Sequence, residues 1–232
     1  MLKAAIFDLD GTISDTLTSI AYSANASLRK EGLSELPRDN FRYYAGDGAG
    51  ELVRRYLKDT TVISSKLDPK DEANYEHFFK SYMEEFSKYC MYEVKPFSGI
   101  PELLHSLKGA GAKLAVLSNK PDAQAREVVE QLFGSELFDH VEGQREGVPR
   151  KPAPDGALRI AGDFGLEPSE CMYLGDSNTD MKTGRAAGMY TVGVLWGFRD
   201  KEELLSSGAE AVIERPEEAF ELFRHHKEED VQ

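Results

Sequence analysis

The chain has 232 residues, which is enough to bury a large core in one domain or in two unequal ones. Its 28 lysines and arginines against 41 aspartates and glutamates give a net charge of -13, which disfavours a protein that binds nucleic-acid phosphates. There is no apolar run near the roughly 20 residues that a membrane helix needs, and no secretory signal pattern. We therefore expect a cytoplasmic protein without nucleic-acid or membrane partners.

The first predicted strand covers residues 4–7 and ends in two carboxylates. Its apolar residues give way to Asp8, Asp10 and Gly11. In an open α/β sheet, ligands bind at the carboxyl ends of the strands, so both aspartates are candidates for a functional site. Taken alone, the pattern is equally typical of an acidic turn that closes a strand.

Residues 16–90 show helical periodicity and no pattern of a buried parallel strand. Helices are predicted at residues 16–31, around residues 52–57 after a glycine-rich turn, and at about 69–89. We interpret residues 16–90 as an all-helical domain inserted after the first strand, with residues 1–15 and 91–232 forming the other domain.

From residue 91 onward, helices and strands alternate. Strands are predicted at residues 113–117, 138–142, 171–174, 190–194 and 211–213, and helices at about 99–109, 121–133, 154–164, 178–187 and from 216. Such alternation implies right-handed crossovers and a parallel sheet covered on both faces, which the first strand must join. The predicted fold is a doubly wound, Rossmann-like α/β core with an inserted all-helical domain. The charged tail at 225–232 is expected to fray.

Three further polar clusters follow predicted strands. They are Ser118-Asn119-Lys120, Arg150-Lys151-Pro152 after a loop, and the segment 175–180 with Asp176 and Asp180. Parallel strands bring their carboxyl ends to one edge of the sheet, so these side chains should converge on the first two aspartates. Each cluster also has a structural alternative: a turn and helix cap for the first, a solvated loop residue for the lysine, and acids that offset a helix dipole for the last.

The chemistry of the combined set favours phosphoryl transfer. Carboxylate oxygens suit a hard cation such as Mg²⁺, which also bridges to substrate phosphate. A hydroxyl, backbone amides and a lysine can hold the remaining phosphate oxygens. One aspartate can act as nucleophile and another as acid and base. Four carboxylates would repel one another without a cation, so we expect Mg²⁺ as the cofactor.

The four clusters, in their order along the chain, resemble the four motifs of the haloacid dehalogenase superfamily. The matching residues are Asp8-Leu9-Asp10-Gly11-Thr12, Ser118, Lys151, and Gly175-Asp176 with Asp180. Residues 117–121, 150–154 and 187–198 are similar to its phosphoglycolate phosphatase branch, in which a helical cap follows the first motif. The resemblance implies a Mg²⁺-dependent phosphatase that acts on a small phosphorylated metabolite, with 2-phosphoglycolate first in line.

The resemblance also implies a role for each site residue. Asp8 would attack phosphorus and become an aspartyl phosphate. Asp10 would protonate the departing alkoxide and later deprotonate the hydrolytic water. The implied Mg²⁺ ligands are Asp8, the backbone carbonyl of Asp10 and Asp176, with Asp180 close by as a ligand through water or as support. The implied phosphate-binding residues are Ser118 and Lys151, with Asn119 as an assisting candidate.

Substrate specificity is expected to lie in the cap. The candidates are Gly46, Asp47, Gly48, Arg54 and Arg55. The glycine-rich turn does not follow a strand and lacks the spacing of a dinucleotide-binding loop, so we interpret it as a loop that reaches over the substrate. Either arginine could bind a substrate carboxylate bidentately, or both could be solvated surface.

Other functions remain open on the same fold. A sugar-phosphate mutase similar to β-phosphoglucomutase would keep both catalytic aspartates, and a pyrophosphatase is a further alternative. A non-catalytic binding protein is the alternative from another class, but it would not need a nucleophile and an acid together. The sequence sets neither the exact substrate nor the choice between monomer and homodimer.

Overall fold

The computed structural model describes residues 1–63, 68 and 70–228. The chain divides into two compact units: Thr16–Lys95, which we call the helical unit, and Met1–Asp15 with Pro96–Gln232, which we call the α/β unit. The sequence places the second boundary after residue 90, whereas in the structure it follows Lys95. The rings of Tyr92 and Tyr22 pack with centroids 4.4 Å apart, so residues just after 90 stay with the helical unit.

The α/β unit is built on a six-stranded parallel sheet. The described strands are β1 (Ala4–Phe7), β2 (Ser14–Asp15), β3 (Lys95–Pro96), β4 (Lys113–Pro121), β5 (His140–Gln144), β6 (Cys171–Gly175), β7 (Tyr190–Val194) and β8 (Ala211–Ile213). The sheet order is β5-β4-β1-β6-β7-β8, and neighbouring strands run parallel. β2 and β3 form a separate two-stranded sheet. The first strand thus joins the sheet as predicted, between β4 and β6.

Helices alternate with the strands of this sheet. The described helices are α1 (Leu17–Lys30), α2 (Phe41–Tyr44), α3 (Ala49–Ile63), α4 (Glu72–Tyr89), α5 (Ile100–Gly109), α6 (Asp122–Phe133), α7 (Asp155–Asp163), α8 (Asn178–Ala187), α9 (Lys201–Ser206) and α10 (Pro216–Glu228). The first four lie in the helical unit. The predicted α/β class with an inserted helical segment is confirmed. Over the residues described, no helix has the length and apolar character required to cross a bilayer.

Both faces of β1 are buried, because alternate residues point to opposite sides of the sheet. Ala4 and Ile6 lie in one core cluster with Ala157 of α7. Phe7 is of the alternate set, which points to the opposite face of the sheet, and its ring packs edge to face on that of Phe138 with centroids 6.5 Å apart. A strand covered in this way reads as a continuous apolar run, which is why the sequence placed β1 correctly.

The helical unit has its own apolar core. α1 and α3 both pack on α4. Tyr82 and Phe86 of α4 are buried and stack with centroids 5.3 Å apart. The hydroxyls of Ser27 and Tyr56 lie 3.1 Å apart, so these two buried polar groups satisfy each other.

β4 and β5 differ from the sequence expectation. β4 continues to Pro121 instead of ending at residue 117, and β5 begins at His140 instead of 138. The pairing of the two strands shifts register between Leu117 and Pro121, where Pro121 is paired with Gln144. The polar residues 118–120 therefore belong to the strand itself, because pairing with β5 resumes beyond them.

Two predictions about helices need correction, and one helix has no predicted counterpart. The helix expected from about residue 69 begins at Glu72, because Asp71 accepts a hydrogen bond from the Ala73 amide and caps it; residue 69 lies outside the described residues. α9, which begins after a side-chain cap at Asp200, has no predicted counterpart. The tail expected to fray from residue 225 instead continues α10 to Glu228, and residues 229–232 are not described.

Candidate active site

The candidate site lies at the carboxyl edge of the sheet, around the end of β1. Asp8 follows β1, and Asp176 follows the neighbouring β6. From β1 the sheet is extended by β4 and β5 on one side and by β6, β7 and β8 on the other. Such a change of direction leaves a crevice beyond the strand ends, where open α/β sheets bind ligands.

Three of the predicted carboxylates form a compact buried cluster. One oxygen each of Asp8, Asp176 and Asp180 lie within 4.8 Å of one another. Burial, followed by the charge of Asp180, raises the pKa of Asp8 from 3.8 to about 7. Burial and the same neighbouring charges hold the pKa of Asp176 well above its ordinary value. The cluster thus resists carrying three negative charges, and a divalent cation with oxygen ligands would relieve this cost.

Lys151 supplies a positive charge directly to this cluster. Its Nζ lies 2.7 Å from Asp8 Oδ1 and 2.7 Å from Asp180 Oδ1. Burial alone would lower the pKa of Lys151, but the charges of Asp180 and Asp8 outweigh it and hold the pKa well above 10.5. The side chain is therefore an ammonium at neutral pH, aimed at the carboxylate that follows β1.

Asn119 fixes the segment that carries this lysine. Its Nδ2 donates to the Lys151 carbonyl oxygen at 3.0 Å, and its Oδ1 accepts from the Lys151 amide at 3.0 Å. Both ends of the side-chain amide are thus engaged with one main-chain residue. The predicted assistance of Asn119 in phosphate binding stays a prediction, and the contacts seen here position Lys151 instead.

Asp180 uses its two oxygens for two different purposes. Oδ2 accepts from the Ser177 hydroxyl at 2.6 Å and from the Ser177 amide at 3.1 Å, which completes the capping box of α8. Oδ1 faces Lys151, and the buried hydroxyl of Tyr173 lies 3.5 Å away. The proximity of Tyr173 to Asp180 could not be predicted from the sequence, because its position in β6 is typical of any buried strand residue.

Asp10 is not one of the three clustered carboxylates, and it contacts a different lysine. Lys120 Nζ lies 2.8 Å from Asp10 Oδ1. The backbone amide of Lys120 donates to Ser118 Oγ at 3.2 Å, which connects it to a predicted phosphate-binding residue. Lys120 belongs to a polar cluster that the sequence predicts to converge on Asp8 and Asp10, but the sequence assigns it no role there.

Close backbone packing holds Asp176 against the first motif. Gly11 has φ of 90°, and a Cβ there would lie 2.2 Å from Asp176 Oδ2. The same oxygen accepts from the Phe198 amide at 2.6 Å. Only glycine fits between the two loops. Among the described residues, Thr12 Oγ1 in the first motif is buried and has no hydrogen-bond partner.

The predicted specificity residues belong to the helical unit. Gly46 and Gly48 have φ of 112° and 89°, which only glycine adopts readily, so the turn before α3 depends on them. Arg55 pairs with Asp47 and donates to the Tyr44 carbonyl oxygen at 3.1 Å. This guanidinium therefore closes the turn onto the end of α2.

Arg54 has different surroundings within the same unit. Its Nη2 lies 3.0 Å from Glu72 Oε1, and its guanidinium stacks 3.6 Å from the centroid of the Tyr75 ring. Side-chain exposure of Arg54 is 40%. Either arginine would exchange a partner within this unit to bind a substrate carboxylate, and that role stays a prediction.

The chain is similar to known proteins over almost its whole length. Residues 5–194 match the model of the haloacid dehalogenase-like hydrolase family. A phosphoglycolate phosphatase from Aquifex aeolicus is 32% identical, over 97% of this chain and 98% of that protein. An N-acetylmuramic acid 6-phosphate phosphatase from Pseudomonas aeruginosa is 27% identical, over 95% of this chain and 94% of that protein. The crystal structure of a protein from Lactobacillus delbrueckii subsp. bulgaricus superposes on this chain with a TM-score of 0.86 and 29% sequence identity, covering 95% of this chain and 98% of that one.

Proposed function

The chain belongs to the haloacid dehalogenase-like hydrolase family, and from this premise we propose that it is a Mg²⁺-dependent phosphatase for a small organic phosphomonoester. One observation carries the proposal: three buried carboxylates, from Asp8, Asp176 and Asp180, share a site with the Lys151 ammonium. This arrangement combines a nucleophile, a phosphate-binding cation and oxygen ligands for a hard metal.

The first half of the proposed reaction forms a covalent intermediate on Asp8. A carboxylate oxygen of Asp8 bonds to phosphorus while the bond from phosphorus to the ester oxygen breaks. Asp10 gives its proton to the departing alkoxide. Lys151, which lies 2.7 Å from Asp8, would bind a phosphoryl oxygen there together with Ser118.

The second half releases inorganic phosphate. Asp10 removes a proton from a water molecule, whose oxygen bonds to phosphorus as the bond to Asp8 breaks. Asp8 is regenerated as a carboxylate, and Asp10 is again protonated for the next leaving group. Two easier steps therefore replace one difficult displacement.

The donor set fits the proposed cofactor. The carboxylates of Asp8 and Asp176 and the main-chain carbonyl of Asp10 would hold Mg²⁺, with Asp180 as a ligand through water or as support. The raised pKa of Asp8, about 7, reflects a cluster that needs positive charge. When bound, the metal would neutralise the cluster and the phosphate oxygens.

We place 2-phosphoglycolate first among the substrates, because relatives with that activity in their names match both units. The N-acetylmuramic acid 6-phosphate phosphatase makes a sugar phosphate the next candidate. We further propose that residues 16–95 act as a cap that closes over the substrate and excludes water. The proposed setting is cytoplasmic, with a small phosphorylated metabolite as partner. In keeping with a reducing compartment, Cys90 and Cys171 are buried and form no disulfide.

The test is a phosphate-release assay on the full chain after removal of metal. The panel contains 2-phosphoglycolate, N-acetylmuramic acid 6-phosphate, a hexose 1-phosphate and pyrophosphate, each with and without Mg²⁺. Asp8→Asn should lower kcat by more than about 1000-fold. Asp163→Asn is the matched control, since that side chain is 55% exposed.

Each result has a defined meaning. Mg²⁺-dependent release from 2-phosphoglycolate, lost in Asp8→Asn only, supports the proposal. Conversion of the hexose 1-phosphate to its 6-phosphate without net release would indicate a mutase, and preference for pyrophosphate would indicate a pyrophosphatase. No turnover of any phosphate, or full activity of Asp8→Asn, would refute an aspartyl-phosphate enzyme.

A further inference from the structure

The α/β unit contains a second buried lysine that the proposed reaction does not use. Lys120 Nζ lies 2.8 Å from Asp10 Oδ1, and the side chain of Lys120 is only 1% exposed, against 17% for Asp10. A buried ammonium requires a charged partner, because it has given up its hydration. The contact between these two residues is therefore a fixed one, in contrast to a surface ion pair.

The backbone that carries Lys120 is held on two sides. Its amide donates to Ser118 Oγ at 3.2 Å. On the neighbouring strand, a Cβ on Gly143 would lie 2.7 Å from the Lys120 carbonyl oxygen. β5 can therefore pack this closely against the Lys120 backbone only because residue 143 is a glycine. A side chain projected from such a rigid strand can hold a partner in a defined orientation.

We propose that Lys120 is the positioning residue for Asp10, an inference that rests on the proposed function. The ammonium occupies Oδ1, which orients the carboxyl group so that Oδ2 exchanges protons with the leaving group and with water. Lys120 contributes to the reaction only through Asp10. Its loss should therefore impair the steps that need proton transfer and spare those that do not.

Leaving-group chemistry separates this role from a structural one. The value of kcat/KM reports the steps up to release of the leaving group, which is the first irreversible event in a phosphoenzyme mechanism. An alkoxide must be protonated as it leaves, whereas p-nitrophenolate is stable as an anion and needs no proton. A lysine that merely stabilises the fold would affect both substrate types equally.

The experiment compares an alkyl phosphate, 2-phosphoglycolate, with p-nitrophenyl phosphate. In Lys120→Met, kcat/KM should fall about 10-fold to 100-fold for the alkyl phosphate and less than about 3-fold for the aryl phosphate. Lys120→Arg should recover part of the loss by keeping the charge. Lys113→Met is the matched control, because Lys113 lies on the same strand, is 53% exposed and pairs with Asp139 instead.

A double-mutant comparison adds an independent readout. If Lys120 acts only through Asp10, then adding Lys120→Met to Asp10→Asn should cost no further activity on the alkyl phosphate. Equal losses on both substrate types, or additive losses in the double variant, would overturn the proposal.

A crystal structure of Lys120→Met, solved without substrate, tests positioning separately from activity. The Asp10 carboxyl group should leave its present orientation or become disordered, and it should keep its orientation in Lys113→Met. An unchanged Asp10 would overturn the inference. If the wild-type chain hydrolysed nothing, the proposed function would fail. The crystal structure of Lys120→Met would still show whether Lys120 orients Asp10. Lys120→Gln replaces Lys120→Met in every measurement if the latter does not fold.

Discussion

Replacing Asp8 with asparagine should stabilise the metal-free protein at alkaline pH while abolishing its activity. Burial and the charge of Asp180 raise the pKa of Asp8 from 3.8 to about 7 in the folded state. A carboxyl group whose folded pKa is raised gives its full stability below the unfolded pKa and loses it as the pH rises through the folded pKa. In the absence of metal, the ionised Asp8 therefore opposes folding at pH above about 7.

The magnitude follows from the two pKa values. Each pKa unit corresponds to about 1.4 kcal/mol, so the difference between 3.8 and about 7 costs about 4 kcal/mol of folding free energy once Asp8 is ionised. That difference already includes the opposing effect of the Lys151 contact, which lowers the pKa of Asp8. Asparagine stays uncharged and avoids the cost, so the variant should be about 4 kcal/mol more stable than wild type at about pH 8. The difference should shrink as the pH falls and nearly vanish at about pH 3.5, where Asp8 is mostly protonated in the folded and the unfolded state.

Urea denaturation measures the size of this effect and its dependence on pH. Wild type, Asp8→Asn and the exposed control Asp163→Asn are compared at the two pH values in chelator and again in Mg²⁺. Mg²⁺ should stabilise wild type more than Asp8→Asn, because Asp8 is a proposed ligand. The reasoning fails if Asp8→Asn is the less stable protein at about pH 8 without metal, or if its stability falls with pH as steeply as that of wild type.

Two further predictions concern other contacts. Gly11→Ala should lower kcat/KM by about 100-fold or more, because the new Cβ would lie 2.2 Å from Asp176 Oδ2 and displace it; near wild-type kinetics would contradict this. Asp139→Asn should cost about 1–2 kcal/mol in urea denaturation at neutral pH and progressively less toward about pH 2. Burial would raise the pKa of Asp139, but hydrogen bonds from Lys108, a backbone amide and Lys113 lower it to about 2. The stability that Asp139 contributes is therefore lost as the pH falls through that value. If the stability difference between wild type and Asp139→Asn did not shrink in acid, the ion pairs would not be its cause.

The central part of the site could be predicted from sequence because the order and direction of the strands determine where Asp8 and Asp176 lie. β1 and β6 are short apolar runs whose ends are marked by polar residues, and parallel pairing brings those ends to one edge. Asp8 and Asp176 follow these two strands directly. No knowledge of side-chain contacts is needed to predict that they meet.

The end of β4 could not be predicted in this way. Residues 118–120 are polar and read as a loop, yet they continue a strand because pairing with β5 resumes at Pro121 after a register shift. Tertiary pairing overrides local composition here. The sequence predicts that residues 118–120 converge on Asp8 and Asp10, but it does not predict the specific contact of Lys120 with Asp10, which depends on that pairing.

Asn119 shows a related limit. Its residue type suits a phosphate ligand, a turn or a clamp on another segment equally well. The structure uses both ends of its amide on the main chain of Lys151, which lies 32 residues away. Sequence spacing cannot distinguish these uses, because the partner is set by how the loop after β5 returns to the sheet.

Asp180 shows that a structural and a functional interpretation of one residue need not compete. A carboxylate has two oxygens, and here one caps α8 through Ser177 while the other meets Lys151. The cap fixes the side chain to the helix N-terminus, and the helix in turn fixes the remaining oxygen within the cluster that includes Asp8. A helix start with an acid at its third position thereby becomes a rigid support for a charged site, which explains why the pattern expected of a simple cap is also the pattern expected of a metal-site motif.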